Sequence, residues 1–314
     1  MEIRVLRYFL AVAREENMTK ASEILHLTQP TLSRQIAGLE EEMGVQLFIR
    51  GSRKLTLTED GMLLRRRAEE IIELVEKTER ELAEPDEETE GCVTIGCGDL
   101  QAVQVLADII RSFQEKYPRV VFDLYTAAAD SVKERMDRGL TDIGVMLEPV
   151  EMEKYRFIRL EGSEHWTVLL HPEDPLAEKA YVTPEDLASV PLILPCRMNV
   201  QNELAGWFGD YYKNLSVRFT SNLPANSAVM VKNRLGCALV ISGAAGMWDK
   251  EQIICRPLSP ELTASSALVW RRMAPFGRAA GKFIEYVKNY FKTDKEEKTQ
   301  EKPWADFSSA TGSP

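Results

Sequence analysis

The sequence predicts an α/β protein that begins with a small all-α domain, continues through one long charged helix and ends in two α/β lobes. Three observations support this class: short apolar stripes of helical spacing up to residue 44, a four-three apolar repeat between residues 64 and 82, and alternating strands and helices from residue 91. A length of 314 residues fits two or three domains, at roughly 100 to 200 residues each. We predict an N-terminal domain at 1–58, a long helix and hinge at 59–90, the lobes at 91–291 and a disordered tail at 292–314.

Composition excludes several classes of protein. No stretch approaches the roughly 20 apolar residues that a membrane span needs, and the first residues enter an amphipathic pattern rather than a signal peptide, so we expect a cytoplasmic protein. The five cysteines form no CxxC pair, and the three histidines lie far apart in sequence. We therefore expect no metal, no cofactor and no catalytic residues.

Three short helices are predicted before residue 45. The first carries an apolar stripe from Ile3 to Ala13, and Thr19 is a suitable N-cap for the second. Thr28 can cap the third, with Pro30 in its first turn and Gly44 at its C-terminal end. Only a few residues separate the second helix from the third, which predicts a helix-turn-helix arrangement.

The third helix presents its N-terminal end. Its inward stripe contains Leu32, Ile36, Leu39 and Met43, whereas acidic residues crowd the far end at 40–42. A helix of this kind meets DNA by its start, where the dipole and polar side chains favour phosphates and base edges. The candidate contacts there are Thr28, Gln29, Pro30, Thr31, Ser33 and Arg34. The alternative interpretation is a plain three-helix bundle without a ligand.

Residues 45–58 read as a short hairpin beside this helix. Two apolar runs flank Gly51-Ser52-Arg53, so the tip carries Arg50, Arg53 and Lys54. The net charge of −10 argues against nucleic acid for the chain as a whole, but residues 1–58 hold eight Lys or Arg against seven Asp or Glu. The hairpin therefore predicts a basic wing, and the N-terminal domain a winged helix-turn-helix domain that binds double-stranded DNA.

The chain resembles the LysR-type transcriptional regulators. The matching residues are Phe9-Leu10-Ala11-Val12-Ala13, Thr19-Lys20-Ala21-Ser22, Leu27 through Ile36, Gly44 through Phe48, Leu57 through Gly61, Arg138 through Val145 and Leu235 through Ile241. The resemblance implies a non-enzymatic regulator that binds a promoter operator, responds to a small-molecule effector, contacts RNA polymerase and forms a homodimer or homotetramer. It also implies a two-lobed effector domain of periplasmic-binding-protein-like fold.

The long helix from Glu59 to Ala83 carries an apolar seam. Thr58 can cap it, and the other faces are densely charged. Because such a repeat is typical of coiled coils, we predict that it pairs two subunits, as the resemblance also implies. The predicted dimerisation residues are Leu64, Ala68, Ile71, Val75 and Leu82. The seam could instead dock on its own domain.

The lobes predict a cleft for a ligand. We assign lobe I to 91–160 and 265–291 and lobe II to 161–264; in open α/β sheets, ligands lie beyond the carboxyl ends of the strands. The expected cleft residues are Gly98, Asp99, Leu100, Gln101, Thr126, Ala127, Glu148, Cys196, Arg197, Asn222 and Ser242.

The polar candidates in the cleft carry both signs of charge. Arg197 could hold a carboxylate, while Asp99 or Glu148 could receive an amine, so a small polar metabolite such as an amino acid would fit. Arg197 could equally pair with a neighbouring carboxylate and point outwards. Asp99 could also cap the first helix of lobe I, in a place where family members commonly have a hydroxyl residue, which weighs against an anionic effector.

Two other functional classes stay open from the sequence. Pro195-Cys196-Arg197 sets a thiol beside a cation that could lower its pKa, as a redox sensor requires, although a cleft-lining or buried thiol is the favoured interpretation. The lobes could also form an enzyme or an intracellular solute-binding protein, with the first helices serving as a packing module.

Overall fold

The computed structural model describes residues 1–51, 54–83, 90–150, 153–160, 162, 164–243, 248–273 and 275–300. Contacts between Cα atoms divide the chain into two compact units, Met1–Ala83 and Glu84–Pro314. Within the described residues, no helix is both long enough and apolar enough to cross a membrane.

The first unit is a three-helix domain with a hairpin and a long helix. Its elements are α1 (Ile3–Glu15), α2 (Met18–Ile24), α3 (Gln29–Met43), β1 (Phe48–Arg50), β2 (Leu55–Leu57) and α4 (Glu59–Ala83). Strands β1 and β2 pair antiparallel, with Ile49 opposite Thr56. The expected cap of α4 forms, because Thr58 Oγ1 accepts a hydrogen bond from Gly61 N at 2.9 Å.

The cap of α2 differs from the prediction. Asn17, and not Thr19, is the N-cap, and its Oδ1 accepts hydrogen bonds from Thr19 N at 2.9 Å and Lys20 N at 3.0 Å. An N-cap side chain reaches the second and third backbone N–H groups of a helix, which here belong to Thr19 and Lys20. The helix therefore begins one residue before the predicted cap.

Both ends of α3 are defined by local geometry. Thr28 is the N-cap by backbone conformation, but its Oγ1 lies 2.8 Å from Thr31 Oγ1 instead of bonding a backbone N–H. Gly44 closes the helix in the left-handed region, at φ 69°, which glycine adopts without the usual steric cost. Glu40 Oε1 then accepts hydrogen bonds from Leu47 N at 2.7 Å and Phe48 N at 3.2 Å, so α3 also holds the first strand of the hairpin.

The core of the first unit includes the start of α4. Phe9 packs against Phe48 with ring centroids 5.4 Å apart, and both side chains are buried. Leu64, Ala68 and Ile72 of α4 are buried in the same cluster. The prediction that Leu64 and Ala68 belong to a subunit seam is therefore wrong, because these side chains are already covered by their own domain.

The second unit contains two sheets. The first consists of β3 (Gly91–Cys97), β4 (Val120–Thr126), β5 (Ile143–Leu147), β6 (Tyr155–Arg159) and β13 (Ser266–Arg271), with helices α5 (Ala102–Lys116), α6 (Ala129–Asp137) and α10 (Arg278–Gln300). The order of its strands is β4-β3-β5-β13-β6. Strand β3 pairs parallel with β4 and β5, whereas β13 runs antiparallel to β5 and β6.

The strands of the second sheet are β7 (Glu164–Leu170), β8 (Pro191–Pro195), β9 (Ser216–Ser221), β10 (Cys237–Ile241), β11 (Ile254–Pro257) and β12 (Thr263–Ala264), and its helices are α7 (Pro184–Ala188), α8 (Met198–Phe208) and α9 (Pro224–Lys232). The order of the strands is β11-β7-β10-β8-β9, and β12 also pairs with β7. The chain thus crosses from one sheet to the other between β6 and β7, and returns between β12 and β13. Two α/β lobes result.

The C-terminal helix is longer than predicted. We expected a tail without regular structure from residue 292, but α10 continues to Gln300. The apolar stripe ends near Phe291, yet the lysines and glutamates that follow are good helix formers, so the helix persists without an apolar face. Residues 301–314 of the predicted tail lie outside the described residues.

We predict that Phe9→Ala lowers the free energy of unfolding of the first unit by about 3–5 kcal/mol, because a fully buried ring is replaced by a cavity. Urea unfolding of the full chain, followed by circular dichroism, measures this. Ile24→Ala is the matched control, since Ile24 is exposed and should change stability by less than about 0.5 kcal/mol. Equal effects of the two variants would contradict the assigned core.

Candidate functional site

The start of α3 forms an exposed polar surface. Thr28, Gln29, Pro30, Thr31 and Arg34 are exposed and Ser33 is half-buried, whereas Leu32, Ile36 and Leu39 of the same helix are buried. The apolar stripe thus fixes the orientation of α3, and the opposite face presents a guanidinium, an amide and hydroxyl groups. These are the side chains that hydrogen-bond base edges and phosphates.

The wing adds positive charge, part of which is already paired. Lys54 is exposed, and its Nζ lies 2.6 Å from Glu16 Oε2, which raises the pKa of Lys54 and lowers the pKa of Glu16. The side chain of Arg50 and the whole of Arg53 lie outside the described residues. Sequence reasoning missed Lys20 on α2, an exposed cation whose Nζ lies 2.8 Å from Glu15 Oε2.

A cleft lies between the lobes of the second unit. The space between its walls is about 710 Å³, part of which is open to solvent. Six of the predicted residues line it, namely Gly98, Asp99, Leu100, Ala127, Arg197 and Asn222. Five predicted residues are absent from its described walls: Gln101, Thr126, Glu148, Cys196 and Ser242.

Glu148 and Gln101 have other contacts. Arg159 Nε at the end of β6 lies 3.0 Å from both carboxylate oxygens of Glu148, and this ion pair raises the pKa of Arg159. Glu148 therefore pairs within lobe I, outside the described walls of the cleft. Gln101 lies at the start of α5, where its backbone N–H donates a hydrogen bond to Glu164 Oε2.

Arg197 bridges the two lobes. Its Nη2 lies 3.1 Å from Asp130 Oδ1 and its Nε lies 3.2 Å from Asp130 Oδ2, so the guanidinium binds the carboxylate through two atoms. Arg197 precedes α8 in lobe II, while Asp130 lies in the first turn of α6 in lobe I. The Arg197 side chain is 17% exposed and lines the cleft, so it pairs with a carboxylate without pointing outwards.

The cap of α5 is not Asp99. Glu164, the first residue of β7, is 2% exposed, and its two carboxylate oxygens accept hydrogen bonds from Gln101 N and Ala102 N, each at 2.9 Å. Ser266 Oγ donates a third, also at 2.9 Å. A buried carboxylate is stable only when it is bonded in this way, and the helix dipole adds to its stability. Sequence reasoning missed Glu164, whose one signal was an acidic residue at the start of an apolar strand.

The approach of the lobes near α5 requires a glycine. A Cβ atom at Gly243, just after β10, would lie 2.2 Å from Gln101 N and 2.4 Å from Leu100 C. No side chain fits there, so the backbone of lobe II packs directly against the start of α5. The cleft wall at this point is set by main-chain contact.

The interior of the cleft is more apolar than predicted. Its walls include the aliphatic side chains of β5, α8 and β10 together with the ring of Trp166, which is 3% exposed. Trp166 Nε1 is buried and has no acceptor in the described part of the chain. The polar groups missed by sequence reasoning are Trp166, Ser221 and Ser227.

The cysteines differ in environment. Cys196 is exposed, whereas Cys237 is buried. Burial, followed by the charge of Asp174, raises the pKa of the Cys237 thiol to about 12. Burial also raises the pKa values of Cys97 and Cys255. Among the described residues, no group of three or more His, Cys, Asp and Glu side chains could hold a metal ion.

A helix-turn-helix domain with a hairpin wing, joined to two lobes around a cleft, defines a DNA-binding protein with a ligand-binding domain. Two family models match the chain: the bacterial regulatory helix-turn-helix protein of the lysR family over residues 3–62, and the LysR substrate binding domain over residues 86–292. The chain belongs to the LysR family of bacterial transcriptional regulators. The proposed resemblance and fold class are thereby confirmed.

Individual relatives agree with this assignment. The chain is 30% identical to the regulator YwbI of Bacillus subtilis, over 92% of this chain and 97% of the relative. It is 28% identical to the Hca operon transcriptional activator HcaR of Escherichia coli, over 87% and 92%. The solved structure of CbnR, a LysR family transcriptional regulator, matches with a TM-score of 0.71 at 21% identity, over 92% of this chain and 99% of CbnR, and so shares the fold.

We predict that a thiol reagent such as iodoacetamide modifies Cys196 at pH 8 and leaves Cys237 unmodified in the folded protein. The thiolate attacks the reagent and displaces iodide, and a pKa of about 12 leaves the buried Cys237 thiol protonated at this pH. Peptide mass spectrometry after labelling in buffer measures both sites, with labelling in urea as the control that exposes all thiols. Modification of Cys237 at the rate of Cys196 would contradict the described burial.

Proposed function

We propose that this regulator reads its operator with the exposed start of α3 and holds the neighbouring phosphates with the wing. The observation that carries the proposal is the division of α3, in which Leu32, Ile36 and Leu39 are buried while Gln29 and Arg34 are exposed on the first turns. Gln pairs with adenine and Arg with guanine through two hydrogen bonds in the major groove. The wing residues Arg50, Arg53 and Lys54 supply sequence-independent affinity.

We predict that Gln29→Ala or Arg34→Ala weakens binding to the preferred operator by about 1–3 kcal/mol and relaxes the preference at one base pair. The operator is first obtained by selection from a random DNA pool with the wild-type chain, and affinities follow from fluorescence anisotropy. Lys54→Ala is the matched control: it should weaken all sequences alike and reduce the salt slope by about one unit. Unchanged discrimination in both α3 variants would remove them from the reading surface.

The second half of α4 is the proposed contact between two subunits. Leu74 and Leu82 are 43% and 83% exposed, and Leu63, three turns before Leu74, is 58% exposed. Ile71 and Val75 lie beside them and are half-buried. A helix whose apolar seam enters its own core at Leu64 and Ala68 and continues exposed to Leu82 is suited to pair with a copy of itself, which would place two recognition helices on one operator.

We predict that Leu74→Glu together with Leu82→Glu dissociates the dimer at micromolar concentration, because the pairing would bury unpaired carboxylates. Both side chains are exposed within one chain, so the fold of the monomer should be unaffected. Analytical ultracentrifugation measures the assembly. Met62→Glu, at an exposed apolar position that helical spacing places on another face of α4, is the matched control. Dimers that survive the double substitution would exclude this face.

A small molecule in the interlobe cleft is the proposed signal. A ligand that binds one arrangement of the lobes more tightly shifts the population towards it, and operator affinity changes with it.

Further association to a tetramer is supported by exposed apolar side chains on the end strands of the two sheets. These are Val121 and Leu124 on β4, and Val217 and Phe219 on β9. Contact with RNA polymerase is proposed from family membership alone.

A further inference from the structure

The chemistry of the cleft points to a class of ligand. We propose that the cleft binds an uncharged, largely apolar molecule with one hydrogen-bond acceptor, and that it disfavours carboxylates. This inference rests on the proposed role of the cleft as the effector site. It replaces the amino-acid-like ligand that the sequence suggested.

The anion position at the start of α5 is filled by the protein itself. Helix N-termini bind anions through their free N–H groups. Here Gln101 N and Ala102 N donate to Glu164, Leu100 N donates to Gly98 O at 2.9 Å, and Val103 N donates to Leu100 O at 3.2 Å. A ligand carboxylate therefore finds no free donor in the first turn of this helix, and it meets the charge of Glu164 behind it.

The guanidinium of the cleft is already paired. Arg197 is held by Asp130 through two hydrogen bonds, so its positive charge is already compensated and a ligand carboxylate would have to share the guanidinium with Asp130. Asp99 lines the same cleft and brings a further negative charge, which contributes to the raised pKa of Cys97. The lining of the cleft thus combines one guanidinium, already paired with Asp130, and the carboxylate of Asp99, and the local field disfavours an anion.

The walls of the cleft are largely apolar. The aliphatic lining residues include Leu100, Val145, Leu147, Val200, Leu239 and Ile241. Such walls favour apolar surface, which they remove from water. The Trp166 N–H is a buried donor without an acceptor in the described part of the chain, and a buried donor costs free energy until it is bonded. Trp166 lines the cleft, so a carbonyl or ether oxygen of an apolar ligand that reaches Nε1 as it binds would satisfy this donor.

Three probes with the same ring test the ligand class on the full-length chain: toluene, acetophenone and benzoate. Ligand-detected NMR titration should give acetophenone the highest affinity, and benzoate an affinity at least about tenfold lower. Ala128→Trp, which fills the cleft from its wall, is the control and should abolish the binding of acetophenone. Benzoate binding as tightly as acetophenone in a manner that Ala128→Trp removes would overturn the proposal, and so would no binding of either neutral probe.

Trp166→Phe tests the acceptor. This variant keeps an aromatic ring but removes the N–H, so the affinity for acetophenone should fall by about 2–10-fold while the affinity for toluene stays the same. Equal changes for both probes would mean that Trp166 acts through packing alone. In that case the assigned hydrogen bond would be wrong.

Glu164→Ala tests the filled anion position. The variant leaves two N–H groups and Ser266 Oγ without their carboxylate, so its melting temperature should fall and then recover in sodium acetate, but not in equimolar acetamide with sodium chloride. Glu261→Ala, at an exposed carboxylate of the same lobe, is the control and should not respond to acetate. No specific recovery would overturn the argument.

A second variant covers the case in which Glu164→Ala does not fold. Glu164→Gln keeps the size of the side chain and removes its charge, so the preference for acetophenone over benzoate should shrink at least about threefold. An unchanged preference would contradict the role of this charge. Operator binding is measured in parallel: cleft-bound benzoate would overturn the ligand class and leave the regulator intact, whereas a wild-type chain that selects no DNA would overturn the proposed function itself.

Discussion

The arrangement of the two lobes depends on one buried carboxylate. Glu164 begins the first strand of lobe II, yet its oxygens bond the start of α5 and Ser266 of lobe I. Ala264 pairs with Glu164 across β12 and β7, so the outgoing and returning crossings lie side by side at this residue. A buried charge with three donors is costly to disturb, because removing any donor leaves it undersolvated. The hinge between the lobes is thereby tied to the helix that forms one wall of the cleft.

In the N-terminal unit, buried apolar side chains fix the orientation of the functional helix. One stripe of α3 is buried, which leaves its polar first turns exposed, and the start of α4 completes the core beneath them. The placement of polar side chains for DNA is thus a consequence of where Leu32, Ile36 and Leu39 must go. The later turns of α4 carry apolar side chains, such as Leu74 and Leu82, that the first unit leaves exposed.

Elements set by local periodicity could be predicted from the sequence. Helices α1 and α3, the left-handed Gly44, the cap at Thr58 and the extent of α4 all follow from spacing and capping rules. Periodicity could not separate the two uses of the α4 seam, since an apolar side chain in its own core and one facing a second subunit read alike. It also gave no warning that Asn17 would cap α2 in place of Thr19.

The position of the cleft could be predicted from the sequence, but the polarity of its walls could not. The rule for strand ends located Asp99, Ala127, Arg197 and Asn222 correctly on its walls. The partners of Arg197 and of the α5 start come from residues 67 and 63 positions away, and no local pattern reports contacts of that range. The polarity of the site depends on those pairings, so it emerged only with the three-dimensional arrangement.

Glu40 reduces the entropy that the N-terminal domain would lose on binding DNA. Its carboxylate lies toward the far end of α3 and holds the backbone of Leu47 and Phe48, both of which are buried. The base of the wing is therefore fixed to the recognition helix before any nucleic acid arrives. Ordering of a loop on binding would subtract from affinity, whereas a preorganised wing avoids that entropic loss. In the proposed function, the start of α3 and the base of the wing would therefore meet the operator as one rigid body.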